Sequence, residues 1–144
     1  MPMGRHLADR YGAPGPKRML ALDGGGTRGI ISIAFLKQIE ATLQHKLGRG
    51  DDFVLSDYFD MIGGTSVGSI LATMLALGWR VEKVEQTFTS WAPQVFKRIA
   101  SFNDRYDAAA LSRKIWEVVE RETLSSDKLR TGLCIVAKRA DTNS

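Results

Sequence analysis

The chain has 144 residues, 44% of them hydrophobic and 25% charged, which suits one folded domain with its own core and excludes a fibrous or disordered chain. Basic residues number 20 against 16 acidic, a net charge of +4, and pairs such as Lys97/Arg98, Arg113/Lys114 and Lys138/Arg139 are scattered rather than gathered in a stripe. The bias is compatible with an anionic membrane surface or with nucleic acid and is diagnostic of neither. With no basic stripe these charges read as solvated surface, and the expectation is no nucleic-acid partner and a peripheral membrane surface at most.

Residues 1–17 contain Gly12, Pro14, Gly15 and Pro16 and are expected to be a flexible lead-in without regular structure. They lack the apolar core of a signal peptide, and no stretch reaches the roughly 18 apolar residues that a membrane span requires, so the cytoplasm is the default expectation. Met19 to Leu22 is a short apolar run ended by Asp23 and three glycines, as a buried strand of a parallel sheet would be. Ser32, Phe35, Leu36, Ile39, Leu43 and Leu47 then recur at helical spacing, which predicts an amphipathic helix over about residues 30–47.

The same unit recurs in outline. Tyr58 to Ile62 is a strand candidate, Gly63 to Gly68 a turn, and Val67 to Leu77 a helix with almost no polar face, stopped at Gly78. Val81, Val84, Phe88 and Trp91 mark another helix, expected to end at Pro93, and residues 96–106 show no period. Asp107 is a candidate N-cap for a helix through about Arg121, with Leu111, Ile115, Val118 and Glu122 on one stripe. Leu133 to Lys138 reads as a strand, with the single cysteine, Cys134, expected to be buried in it. Strands alternating with helices predict an α/β fold with a mostly parallel sheet flanked by helices.

The two glycine-rich turns carry the candidate chemistry. Gly64-Thr65-Ser66-Val67-Gly68 matches G-x-S-x-G between a predicted strand and a predicted helix. There a serine sits on a sharp turn, its hydroxyl exposed, with the N-terminus of the next helix favouring negative charge beside it. Asp23-Gly24-Gly25-Gly26-Thr27-Arg28-Gly29 is the other turn. Consecutive glycines let backbone N–H groups converge on an anion, either a phosphate or the oxyanion of acyl transfer. Gly24, Gly26 and Gly29 also have the spacing of a dinucleotide fingerprint, but the acidic residue that should follow about 20 positions later is not evident.

Together, Leu22 to Gly29 and Gly63 to Gly68 resemble the patatin-like phospholipase family, and Arg105-Tyr106-Asp107 and Ala137 to Asp141 resemble its bacterial members. The resemblance covers residues 18–144 and implies a three-layer architecture, incomplete in this chain, and a lipid or acyl-ester substrate. It also implies that Ser66 is the nucleophile, that Gly24, Gly25 and Gly26 supply the oxyanion hole, and that Arg28 is the family's basic residue in that loop. No metal or cofactor is expected, and the oligomeric state stays open.

The family uses a Ser–Asp dyad. The two histidines, His6 and His45, both precede Ser66, so the Ser–acid–His order of an α/β-hydrolase triad cannot be completed here. The family's aspartate lies in a later Asp-Gly-Gly/Ala motif that nothing after Ser66 matches, and Asp104, Asp107, Asp127 and Asp141 all lack a following glycine. The expectation is therefore an N-terminal portion of a longer protein, with little activity by itself and apolar faces such as Ile70/Met74 left exposed. Two rivals stand beside it. An actin-like sugar kinase or ATPase would use the Asp-Gly-Gly-Gly-Thr turn for phosphate but should lead from it into a second strand. A patatin-like scaffold could also serve as a non-catalytic lipid- or partner-binding module.

Overall fold

A computed structural model describes residues 5–95, 108–120 and 122–138. Asp104, Asp107, Asp141 and the predicted loop at 96–106 lie outside the described residues. In order, the elements are α1 (Arg5–Gly12), β1 (Met19–Leu22), a 3-10 turn (Gly26–Arg28), α2 (Gly29–Lys46), α3 (Leu55–Tyr58), β2 (Met61–Thr65), α4 (Val67–Ala76), α5 (Val81–Val95), α6 (Ala108–Val119) and β3 (Gly132–Val136). The strands form one parallel sheet in the order β1-β2-β3, in which Leu22 pairs with Gly64 and Gly64 with Ile135.

Helix α4 is the centre of the fold. Val67, Leu71, Ala72, Met74, Leu75 and Ala76 are all buried, as expected of a helix without a polar face. One side of it meets Leu22 and Ile62 of the sheet, and the other meets a layer in which α2 packs on α5. The end of α4 is closed by a Schellman arrangement: Gly78 at φ +81° donates to Leu75 O (2.9 Å), and Trp79 N–H donates to Met74 O (3.1 Å).

Strand register assigns the faces. Leu20, Leu22, Ile62, Leu133 and Ile135 point toward the helices, while Met19, Gly63, Cys134 and Val136 point the other way. On that second face Met19 is 69% and Val136 57% exposed. Among the described residues helices thus cover one face of the sheet, and the third layer of the expected architecture is not seen.

Several sequence expectations need correction. Residues 1–17 are not without regular structure, since α1 buries Leu7 against Ala76 and Leu129. From α1, the Arg10 guanidinium donates to Asp60 Oδ1 (2.8 Å) and to the carbonyls of Ser56 (2.7 Å), Asp57 (3.1 Å), Phe59 (2.9 Å) and Arg130 (3.3 Å). The second strand starts later than predicted, because Leu55–Tyr58 forms α3 ahead of it. Pro93 lies inside α5, where burial of Val95 offsets the one hydrogen bond that proline removes near the end of the described helix.

Helix α2 buries Gly29, Ile33, Leu36 and Glu40, whereas Phe35 and Leu47 of the predicted stripe are exposed. Apolar residues surround this helix, so periodicity could not select its inner face. Cys134 is exposed, on the bare face of the sheet. Ile70 and Met74 do not form an open patch: Met74 is fully buried and Ile70 half-buried.

Candidate active site

Ser66 is the single residue between β2 and α4, because Gly63, Gly64 and Thr65 belong to the strand and not to the turn. Its backbone is at φ 51°, ψ −127°, a left-handed conformation that costs a residue with a Cβ about 1–3 kcal/mol. The bend reverses the chain in one step and leaves the serine exposed at the carboxyl end of the sheet. Ser69 ties down the first turn of α4, its N–H and hydroxyl both donating to Ser66 O (2.9 and 2.6 Å).

The flanking glycines are required by close backbone approach. A Cβ on Gly64 would stand 2.5 Å from Gly68 O and 2.7 Å from Leu22 O, and a Cβ on Gly68 would overlap Leu22 O. These two glycines therefore let α4 start directly against the end of β1, which brings Ser66 beside the glycine loop. That loop closes on the serine: a Cβ on Gly24 would lie 2.8 Å from Ser66 Cβ.

Gly24 N–H donates to Thr65 Oγ1 (3.0 Å), so this donor is already engaged. Thr65 thereby ties the loop to the elbow, a role that the G-x-S-x-G pattern does not disclose. Gly26 takes φ +59° and opens the 3-10 turn, in which Arg28 N–H donates to Gly25 O (3.1 Å). Arg28 is exposed and has no ion pair among the described residues. The loop leads into α2 and not into a second strand, which removes the hairpin that the kinase reading needs.

Among the described residues no carboxylate or imidazole bonds Ser66 Oγ. The buried carboxylates serve the scaffold. Asp60 accepts from Arg18 N–H (2.8 Å) and from Arg10, and these bonds hold its carboxyl below the ordinary value, the backbone donor contributing most. Glu40 of α2 accepts Val81 N–H at both oxygens (3.3 and 3.2 Å), capping α5 from a neighbouring helix, and burial pushes its carboxyl up. Neither role is visible in the sequence, because both partners lie 40 or more positions away.

A serine on a strained strand-to-helix bend, with a glycine loop folded against it, has the backbone geometry that a G-x-S-x-G turn takes between strand and helix. The comparison with known families agrees: the model for patatin-like phospholipases matches residues 20–144, and the chain belongs to that family. It is 35% identical over 124 residues to a cGAMP-activated phospholipase of Vibrio cholerae, covering 76% of this chain and 35% of that protein. It is 34% identical over 133 residues to a cUMP-AMP-activated phospholipase of Escherichia coli, covering 92% of this chain and 38% of that protein. A probable inactive patatin-like protein of Arabidopsis thaliana is 32% identical over 121 residues, covering 73% of this chain and 30% of that protein. The chain thus spans about a third of the length of these curated relatives. No helix among the described residues is long and apolar enough to cross a membrane.

Proposed function

We propose that this chain carries the nucleophile and oxyanion loop of a serine lipid acyl hydrolase, with Ser66 attacking the ester carbonyl. The observation that carries the reading is the backbone of Ser66 at φ 51°, ψ −127° between β2 and α4. A non-glycine residue held in that region signals a functional constraint, because strain of this kind persists only where the surrounding structure enforces it.

In the reaction, Ser66 Oγ bonds to the acyl carbon and its proton passes to a base. The alcohol then leaves with that proton, and water hydrolyses the acyl-enzyme. The tetrahedral oxyanion is held by the N–H groups of Gly25 and Gly26, since Gly24 N–H is occupied by Thr65. The N-terminus of α4 adds a favourable field at the same point. Arg28, exposed on the loop, is available to an anionic lipid headgroup or a membrane surface. In this reading the base is an aspartate, as the resemblance to the family implies.

The test is Ser66→Ala in the full chain. Ester turnover should fall by roughly 10⁴-fold or more, as it does when a nucleophile is removed from a catalytic unit, and labelling by a fluorophosphonate should vanish while the unfolding transition persists. Labelling that survives in the alanine variant would remove Ser66 from the mechanism. A folded protein that includes the family's aspartate and still neither labels nor turns over esters would favour the non-catalytic lipid-binding reading.

A further inference from the structure

We propose that Thr65 is a positioning residue for the acyl transfer: its hydroxyl, by accepting Gly24 N–H, holds the glycine loop so that Gly25 and Gly26 N–H meet the oxyanion formed at Ser66. This rests on the reading of Ser66 as the nucleophile. The backbone ladder between β1 and β2 ends at the pair Leu22–Gly64, and the two chains then part, one into the glycine loop and the other into the bend at Ser66. Just past that point the Thr65 side chain bonds Gly24 N–H at 3.0 Å. A side chain thus continues the link between the strands after the backbone ladder has stopped, one residue before the serine.

The loop needs such a tie because glycine loses more conformational freedom on ordering than any other residue, and three stand in a row. Its far end is fixed by packing, where a Cβ on Gly29 would meet Val67 at 2.8 Å. The bond from Arg28 N–H to Gly25 O (3.1 Å) lies within the loop and moves with it. The bond to Thr65 instead anchors the near end to the strand that carries the nucleophile. Contact there is close: a Cβ on Gly24 would lie 3.0 Å from Thr65 O and 2.8 Å from Ser66 Cβ, so a shift of the loop moves the proposed donors directly against the serine. Strand formation does not ask for the hydroxyl, since valine has the same branched shape and favours strands as well. The bond is exposed and adds little net stability, whereas a misplacement of about 1 Å at a reacting centre costs roughly 10²-fold in rate. Its effect therefore falls on kcat.

The experiment compares wild type, Thr65→Val and Thr65→Ser in the protein that includes the family's aspartate, with p-nitrophenyl butyrate as substrate. Thr65→Val keeps the shape and removes the acceptor, so kcat should fall roughly 10- to 10²-fold with KM within about twofold. Thr65→Ser keeps the acceptor and should hold kcat within about threefold of wild type. Exchange of the Gly24 amide, followed by NMR on glycine-labelled protein, should quicken in Thr65→Val and not in Thr65→Ser. If Thr65→Val does not fold by urea unfolding, Thr65→Ala carries the test, since it removes the hydroxyl without crowding the loop and should lose kcat to the same extent. Wild-type kcat in a folded Thr65→Val, Thr65→Ser as slow as Thr65→Val, or a loss confined to KM or to stability overturns the proposal. Fluorophosphonate labelling reads Ser66 separately. A wild type that labels and turns over, with Thr65→Val equal to it, removes Thr65 and keeps the nucleophile. Labelling that survives Ser66→Ala removes the nucleophile and the positioning role with it, even where Gly24 exchange still reports the bond.

Discussion

Replacing Ser66 by glycine should stabilise the protein while destroying its proposed chemistry. The residue sits at φ 51°, ψ −127°, a region open to glycine and costly for any residue with a Cβ, by about 1–3 kcal/mol. The side chain offers little in return, since Ser66 is exposed and its hydroxyl makes no hydrogen bond among the described residues. Against the relief stands the greater freedom of glycine in the unfolded chain, about 0.4–1 kcal/mol. The balance is about 1 kcal/mol in favour of glycine, or roughly 4 °C in Tm for a chain of this length. Ser66→Ala is the control, because it removes the hydroxyl but keeps the Cβ and so keeps the strain. Urea unfolding of wild type, Ser66→Ala and Ser66→Gly should give stabilities in the order Gly above Ala, with Ala near wild type. Ser66→Gly no more stable than Ser66→Ala would show that the elbow stores no strain and would withdraw the observation on which the nucleophile assignment rests.

Gly26→Ala places a Cβ at φ +59° and shifts the proposed oxyanion donors, so kcat should drop roughly 10²–10³-fold with little change in KM. Steady-state ester hydrolysis checks it; a change confined to KM would contradict the assignment. Arg10→Met strands the Asp60 carboxylate and three backbone carbonyls of α3 and its flank. Since the two side chains are 23% and 11% exposed, the cost should fall below that of a fully buried pair, at about 2–3 kcal/mol in chemical denaturation. The same pair predicts a pH dependence. Asp60 has its folded pKa depressed below 3.8, so its contribution is present above that value and is lost as pH falls through the folded pKa. The gap between wild type and Arg10→Met should therefore narrow below pH 3.8 without closing, because the bonds from Arg10 to the carbonyls do not titrate. A gap constant from neutral pH into acid would show that Arg10 does not act through Asp60.

Local chemistry determined much of this protein without reference to its fold. The apolar run Met19 to Leu22 and the unbroken apolarity of Val67 to Leu77 are short-range signals, and they placed the first strand and the buried helix between sheet and helices. The second strand instead runs on through Gly63 to Thr65, which the glycines had marked as a turn. The G-x-S-x-G pattern singled out Ser66 because a one-residue bend between strand and helix needs small neighbours. What tertiary structure decided are the pairings that no window of sequence contains. Gly64 and Gly68 are glycines because Leu22 O arrives from another strand, and Gly24 loses its N–H to Thr65, 41 positions away. The buried face of α2 was undecidable from periodicity, since apolar residues surround the helix and only its packing on α5 selects Ile33, Leu36 and Glu40. Helix α1 has little apolar signal of its own; it is fixed by Leu7 and by an arginine that reads the carbonyls of a distant segment. A short polar helix gains its stability from such long-range contacts and not from propensity, so sequence alone could not distinguish it from a flexible lead-in.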